Sequence, residues 1–175
     1  MPVNSEYKEL VEWIVSIIIA AVIAILIKSF IFDIIGVSET SMLPNIHDGD
    51  RIVAEKISLY TRNINRGDIF ILDPGIKGHG LYIKRIVGLP GERLEIKDGK
   101  VYINGKQLKE DYLAPGTYTE GNFDLIVPQN EVFVLGDNRE VSEDSRYLGP
   151  IPVKNLKGRA VYRIYPFDNM KKLIK

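Results

Sequence analysis

From Trp13 to Ile27 the chain reads WIVSIIIAAVIAILI without a single charge, and the wider window Leu10 to Lys28 has only Glu12 and Ser16 as polar interruptions. A transmembrane helix needs about 20 mostly apolar residues, with a lower limit near 17, so this stretch predicts one spanning helix. Trp13 suits the interfacial belt at one end, and Lys28 can snorkel its ammonium to the headgroups at the other. A buried core helix or a cleaved signal peptide would give a related pattern. The residues before the run (Glu6, Lys8, Glu9, Glu12) are net acidic, however, and no small-x-small site follows it, which points to an uncleaved anchor. The expected organisation is a short tail over residues 1–9, an anchor over 10–29 and a β-rich domain over 30–175. Lys8 and Lys28 flank the run on opposite sides, so lysine bias does not orient it.

Past the anchor the apolar period changes. Ser29 to Val37 (SFIFDIIGV) is β-branched and aromatic and contains Gly36, which predicts an extended segment at or near the membrane surface. Strand signals then dominate: Arg51 to Ala54, Asp68 to Leu72, Leu81 to Val87, Lys100 to Ile103, Glu131 to Leu135 and Ala160 to Tyr165, separated by Gly, Pro, Asn and Asp. Asp98-Gly99 and Asn104-Gly105 are tight-turn pairs, so Arg93 to Leu108 reads as successive hairpin strands. No long amphipathic helix, internal repeat or low-complexity linker competes with a mainly β fold.

Charge removes one class of function. Lys plus Arg and Asp plus Glu number 23 each among 175 residues, so no global field attracts nucleic acid or an acidic polymer. The absence of cysteine excludes disulfides, thiolate catalysis and cysteine-ligated zinc.

Three stretches carry candidate chemistry. In Ser41-Met42-Leu43-Pro44, Pro44 and the Asp48-Gly49-Asp50 turn pin a serine at the end of an extended strand, its hydroxyl free to face a groove. Alone, this could equally be a turn serine satisfying nearby backbone groups. A serine nucleophile needs a base. The two histidines, His47 and His79, have no carboxylate in an obvious orienting position and read as surface residues. In Tyr82-Ile83-Lys84-Arg85-Ile86-Val87, strand alternation puts Lys84 on one face with Tyr82 and Ile86. Its reference pKa of about 10.4 must fall by roughly 2 to 3 units for it to act as a base near neutral pH, a shift within reach of desolvation. An exposed strand lysine is the plain alternative. The third stretch, Gly136 to Pro150, is a dense loop of acids, arginines and serines able to build a wall of charge-assisted hydrogen bonds.

In that order and behind one anchor, the three stretches resemble the bacterial type I signal peptidases, over Trp13 to Phe167. The resemblance implies a Ser-Lys dyad serine protease in which Ser41 is the nucleophile and Lys84 the general base. Ser142 would position the lysine, Asp144 would lie near it, and Asp137, Arg139 and Arg146 would brace the loop. Ile35, Val37, Met42, Ile46, Tyr82 and Ile83 would line the substrate groove and a shallow pocket suited to alanine-like side chains. It also implies a small inserted β-hairpin subdomain over about residues 92–132, a catalytic domain on the extracytoplasmic side of the cell membrane, and a monomer. Signal peptides of secretory preproteins would be the substrates, and no metal or organic cofactor is required. Two positions depart from the family pattern. Asn45 replaces the usual Thr after the proline. Glu39 stands where Ser or Gly is usual, two residues before the nucleophile; an ionised carboxylate there would repel an oxyanion, so it points away, is protonated, or is displaced by a register shift involving Ser38 and Thr40. Other functions compatible with the sequence are a Ser-Lys protease specialised to few substrates and a membrane-anchored binding module with an impaired site.

Overall fold

A computed structural model describes residues 5–174. Helix α1 spans Ser5–Phe30, and Tyr7–Phe30 is long and apolar enough to cross a membrane, with none of its apolar window buried in the rest of the protein. Its apolar side chains, from Leu10 through Phe30, are open all around the helix, the distribution expected of a helix whose solvent is lipid. Ser16 returns its hydroxyl to the Glu12 carbonyl, so the one polar side chain inside the run is satisfied within the helix.

The remainder is mainly β, as the alternation of β-branched runs and turn residues predicts. One sheet contains β1 (Phe32–Gly36), β2 (Arg51–Glu55), β3 (Ile69–Leu72), β4 (Tyr82–Gly88), β9 (Glu131–Leu135), β10 (Ile151–Pro152), β11 (Leu156–Tyr165) and β12 (Lys171–Lys172). Its order is β1-β2-β11-β3-β4-β9-β10, with β12 paired to β11. A second sheet, β7-β6-β5-β8, is made of β5 (Arg93–Lys97), β6 (Lys100–Ile103), β7 (Lys106–Gln107) and β8 (Phe123–Ile126). The Asp98-Gly99 and Asn104-Gly105 pairs both have positive φ at each residue, the backbone that lets a two-residue hairpin follow the strand twist. Two short helices, α2 (Ile57–Thr61) and α3 (Ser145–Leu148), complete the described elements used below.

The segment after the anchor is a regular strand rather than a loose extended stretch. β1 pairs antiparallel with β2, Phe32 opposite Glu55 and Gly36 opposite Arg51. Lys56, next after β2, donates to the carbonyls of Lys28 and Ser29 at 3.1 Å each, placing a cation on the unpaired carbonyls of the helix C-terminus.

Burial follows the strands. One cluster joins Val37, Met42, Ile46, Ile52, Ala54, Ile69, Ile71, Ile83 and Ala160, and a second gathers Phe70, Leu72, Tyr82, Ile86, Val132, Val134, Ile151 and Leu156. A third links β4 and β9 to the smaller sheet through Val87, Leu94, Ile96, Phe133 and Leu135. All seven residues of β4 are buried. Strand alternation therefore sends Tyr82 and Ile86 into one cluster and Ile83 into another, leaving Lys84 and Arg85 to be accommodated inside the protein.

Candidate active site

Ser41 does not end a strand. β1 stops at Gly36; Val37 still pairs with the Asp50 carbonyl, and the chain then leaves the sheet. Ser41 opens a tight turn in which Asn45 and Ile46 donate their N–H groups to the Met42 carbonyl. The next residues anchor that turn: Met42 and Ile46 are fully buried, each stabilising the local structure by about 1.5–3 kcal/mol through apolar burial. At the far end, Asp50 accepts from the His47 N–H at 2.9 Å and from Arg163 at 2.8 Å.

Lys84 reaches Ser41 from the middle of β4. Its Nζ donates to Ser41 Oγ at 2.8 Å, and the residue is 1 % exposed. The Tyr82 ring lies 4.9 Å from the ammonium. Burial pushes the Lys84 amine below its ordinary value; the carboxylates of Glu39, Asp144 and Glu143 push back. His47 and His79 are exposed and neither bonds Ser41. His79 instead meets the Tyr82 hydroxyl at 2.8 Å, and that hydroxyl donates to Glu143 at 2.5 Å. The hydrogen bond to Glu143, with burial, pushes the Tyr82 phenol up to about 12, so it remains a neutral donor.

The Gly136 to Pro150 loop forms the wall behind this pair. Asp144 is fully buried and caps α3, accepting from the Arg146 N–H at 3.2 Å and from its guanidinium at 2.9 and 3.0 Å. The same carboxylate accepts the Gly136 N–H at 3.0 Å, closing the loop on itself. Arg146 also donates to the Arg139 carbonyl, and Arg139 ties the loop to Glu110 and Thr119 beside the smaller sheet. Asn138 N–H donates to the Ser41 carbonyl at 2.9 Å, and its side chain to the Thr40 carbonyl at 3.2 Å, so the loop holds the backbone on which Ser41 sits. The Ser41 N–H donates no hydrogen bond among the described residues. Ser142 Oγ is buried without a hydrogen-bond partner among the described residues.

Gly136 is the tightest point of this wall. A Cβ there would stand 2.2 Å from Ser142 Oγ and 2.5 Å from the Ser41 carbonyl oxygen, separations that require something to move. Gly136→Ala is therefore expected to slow any reaction at Ser41 by about tenfold or more while the fold survives, because the atoms in the way belong to the Ser142 side chain and the Ser41 backbone and small misplacements of a reacting group are costly. Paired activity and circular dichroism measurements check this.

Glu39 does not point away. Its carboxylate accepts from Ser41 Oγ at 3.2 Å and lies 3.5 Å from Lys84 Nζ. Asn45, the other departure, ties the serine turn to the wall: its amide donates to the Tyr112 carbonyl at 2.7 Å and to Asp137 at 2.8 Å. Asp137 in turn forms a buried two-point pair with Arg85, at 2.8 and 2.6 Å, and the Arg85 guanidinium stacks 4.1 Å over the Tyr112 ring. The sequence pattern does not single out Arg85, Arg163 or Asp50; their partners lie far along the chain, and nothing local marks them as buried.

Of the residues expected in the substrate groove, Val37, Met42, Ile46 and Ile83 share one core cluster with Ile35 packed against it, and Tyr82 lies in the adjoining one. The open cleft of about 900 Å³ lined by Leu59, Ile64, Pro90, Asn130, Val132 and Val153, among others, includes none of the candidate residues. Ser41 and Lys84 lie outside that cleft.

Comparison with known proteins identifies the family. The family model described as signal peptidase, peptidase S26 matches residues 10–165. Signal peptidase I of Bacillus licheniformis is 42% identical over 97% of this chain and 96% of its own length. Signal peptidase I S of Bacillus subtilis is 40% identical over 96% of each, and signal peptidase IB of Staphylococcus aureus is 34% identical over 94% of each. With an apolar N-terminal helix, a mainly β body and this extent of similarity, the chain belongs to the signal peptidase family, peptidase S26.

Proposed function

We propose that this protein is a single-pass membrane serine endopeptidase that removes signal peptides from exported preproteins, with Ser41 as nucleophile and Lys84 as general base. The observation that carries the reading is the 2.8 Å contact between Ser41 Oγ and the Nζ of a lysine that is 1 % exposed. Neutral Lys84 takes the hydroxyl proton as Oγ attacks the scissile carbonyl carbon. The Ser41 N–H faces the developing oxyanion, and one such donor is typically worth about 3 to 4 kcal/mol. Collapse breaks the C–N bond; Lys84 returns the proton to the departing amine, which is the new N-terminus of the mature protein, and an acyl-enzyme remains on Oγ. Lys84 then deprotonates water, which attacks the ester, and Oγ leaves with the proton.

The remaining parts serve this chemistry. Ser142, with a buried hydroxyl free of other partners, is available to position Lys84 when it is neutral. Asp144, bound to Arg146, fixes the loop, with Asp137, Arg139 and Arg146 bracing it. Ile35, Val37, Tyr82 and Ile83 would line the groove for alanine-like side chains, with Met42 and Ile46 packed beneath it. α1 is the anchor, residues 30–175 lie on the extracytoplasmic side, and the smaller sheet corresponds to an inserted subdomain near residues 92–132.

The test is cleavage of a preprotein with an alanine-x-alanine site by the detergent-solubilised protein, with products mapped by mass spectrometry over a pH series. The expected result is one cut after the second alanine. A lysine base works only when neutral, so the rate rises with pH through the Lys84 pKa in the folded protein and is lost below it; a flat profile from about pH 6 to 9 would remove the base assignment. Glu39 on the dyad favours one other reading, an impaired binding module, and failure of a serine-acylating agent to label Ser41 would support it.

A further inference from the structure

Ser41 Oγ has one proton to give, and it faces away from its proposed base. The hydroxyl accepts from Lys84 Nζ at 2.8 Å and donates to Glu39 at 3.2 Å. A productive pair needs the reverse: a lone pair on Nζ and the O–H turned toward it. Glu39 favours the unproductive arrangement in two ways, by accepting the Ser41 proton and by standing 3.5 Å from the ammonium. A carboxylate two residues before the nucleophile also opposes the negative charge of a tetrahedral intermediate.

Resting on the Ser41–Lys84 reading above, we propose that Glu39 is a displaceable cover on the dyad: it holds the free enzyme proton-loaded, and a peptide laid in the groove moves it aside.

The surroundings of Glu39 permit such a movement. Its side chain is about one third exposed, Ser38 and Thr40 on either side are exposed, and its side-chain partners among the described residues are Ser41 and Lys84 alone. The other carboxylates facing Lys84 are tied elsewhere: Asp144 to Arg146 and Glu143 to the Tyr82 hydroxyl. Tyr82 contributes a neutral ring from the same strand. Glu39 is thus the charge near Nζ that a substrate can remove without dismantling the wall. Once it swings out, Lys84 is left buried with weaker support for its positive charge and releases a proton to water. The freed Ser41 O–H then turns to Nζ. Glu39 is a positioning residue in this scheme, and its effect belongs to the free enzyme.

That assignment separates two pH profiles. kcat/KM reports the free enzyme and kcat the substrate complex, so the acid limb of kcat/KM in the unmodified protein lies at higher pH than that of kcat. In Glu39→Gln, which keeps the size and an acceptor but loses the charge, the kcat/KM limb is expected to fall by about one pH unit, giving about tenfold higher kcat/KM well below the original limb. The kcat limb moves less, and the two converge. Glu39→Asp, with a retained but withdrawn charge, falls between. An unmoved kcat/KM limb in Glu39→Gln, or equal shifts in both limbs, overturns the proposal while leaving the dyad intact. Loss of the underlying reading looks different: Lys84→Ala would still cleave, or the unmodified enzyme would show no acid limb. Thermal melts matched to the unmodified protein confirm that the variants are folded.

Discussion

Ser41→Ala and Lys84→Ala are each expected to reduce cleavage of an alanine-x-alanine preprotein by about four to six orders of magnitude, with the double variant little worse than either single one, because residues that act as one catalytic unit are non-additive. Ser41→Ala removes the atom proposed to form the acyl-enzyme. Lys84→Ala leaves Glu39 as the one described partner of Ser41 Oγ, and a carboxylate is a far weaker base than a neutral amine. Lys84→Arg does not rescue, because a guanidinium keeps its proton at any pH the fold tolerates. The two losses differ in stability. Burial pushes the folded-state pKa of Lys84 down. Between that value and the ordinary lysine value the unfolded chain binds more protons, so stability rises with pH in this window; below it the full penalty of a buried charge applies. Lys84→Met is accordingly inactive yet melts higher than the unmodified protein at neutral pH, and the gain shrinks toward about pH 10, the ordinary lysine range. A Lys84→Met variant that melts lower at neutral pH would show that the ammonium stabilises the fold.

The second large effect is on stability. Arg85 and Asp137 are both buried and meet at 2.6 and 2.8 Å. Arg85 also bonds the Gly67 carbonyl, and Asp137 accepts from Asn45. Removing one member leaves the other as a bare charge inside the protein, which costs about 3–5 kcal/mol. Arg85→Met is expected to lose that much in urea unfolding of the detergent-solubilised protein. Arg85→Met with Asp137→Asn recovers part of it, because no unpaired charge is left. A loss below about 1 kcal/mol, the size usual for solvated pairs, would contradict the burial of this pair. Activity falls in the single variant as well, since Asp137 immediately precedes Asn138, whose N–H holds the Ser41 carbonyl.

Local patterning made much of the fold legible, and its failures share one cause. β3, β4, β6 and β9 coincide closely with runs of β-branched and aromatic residues, and the two positive-φ turns fall on Asp98-Gly99 and Asn104-Gly105. β1 reads only as an extended segment because its partner β2 begins at Arg51, across the whole Ser41 turn. β11 starts at Leu156 rather than Ala160, for Lys157 and Gly158 carry no strand preference and the strand is set by pairing of Leu156, Gly158 and Arg159 with β3. β8 and α2 give no signal; α2 lacks even a side-chain cap. The same division holds in the site. Ser41 and Lys84 can be named because their boxes are distinctive together, whereas the burial of Arg85, Asp50 and Arg163 depends on partners remote in sequence. Glu39 is visible as an anomaly, but its direction depends on where Lys84 lies.

The junction between α1 and β1 leaves the protein without a wrist. Only Ile31 separates helix from strand, and its own backbone is committed at both ends: its N–H to the Ile27 carbonyl in the helix, its carbonyl to the Lys56 N–H. With α1 in a bilayer, the tilt of the anchor and the attitude of the sheet are then one mechanical variable. The β1 strand extends only about 17 Å at roughly 3.3 Å per residue, so Ser41 is carried on a short arm whose height above the lipid follows the helix. A thicker or thinner bilayer that changes the tilt turns the Ser41–Lys84 pair with it, which makes membrane thickness a determinant of how high above the lipid that pair stands.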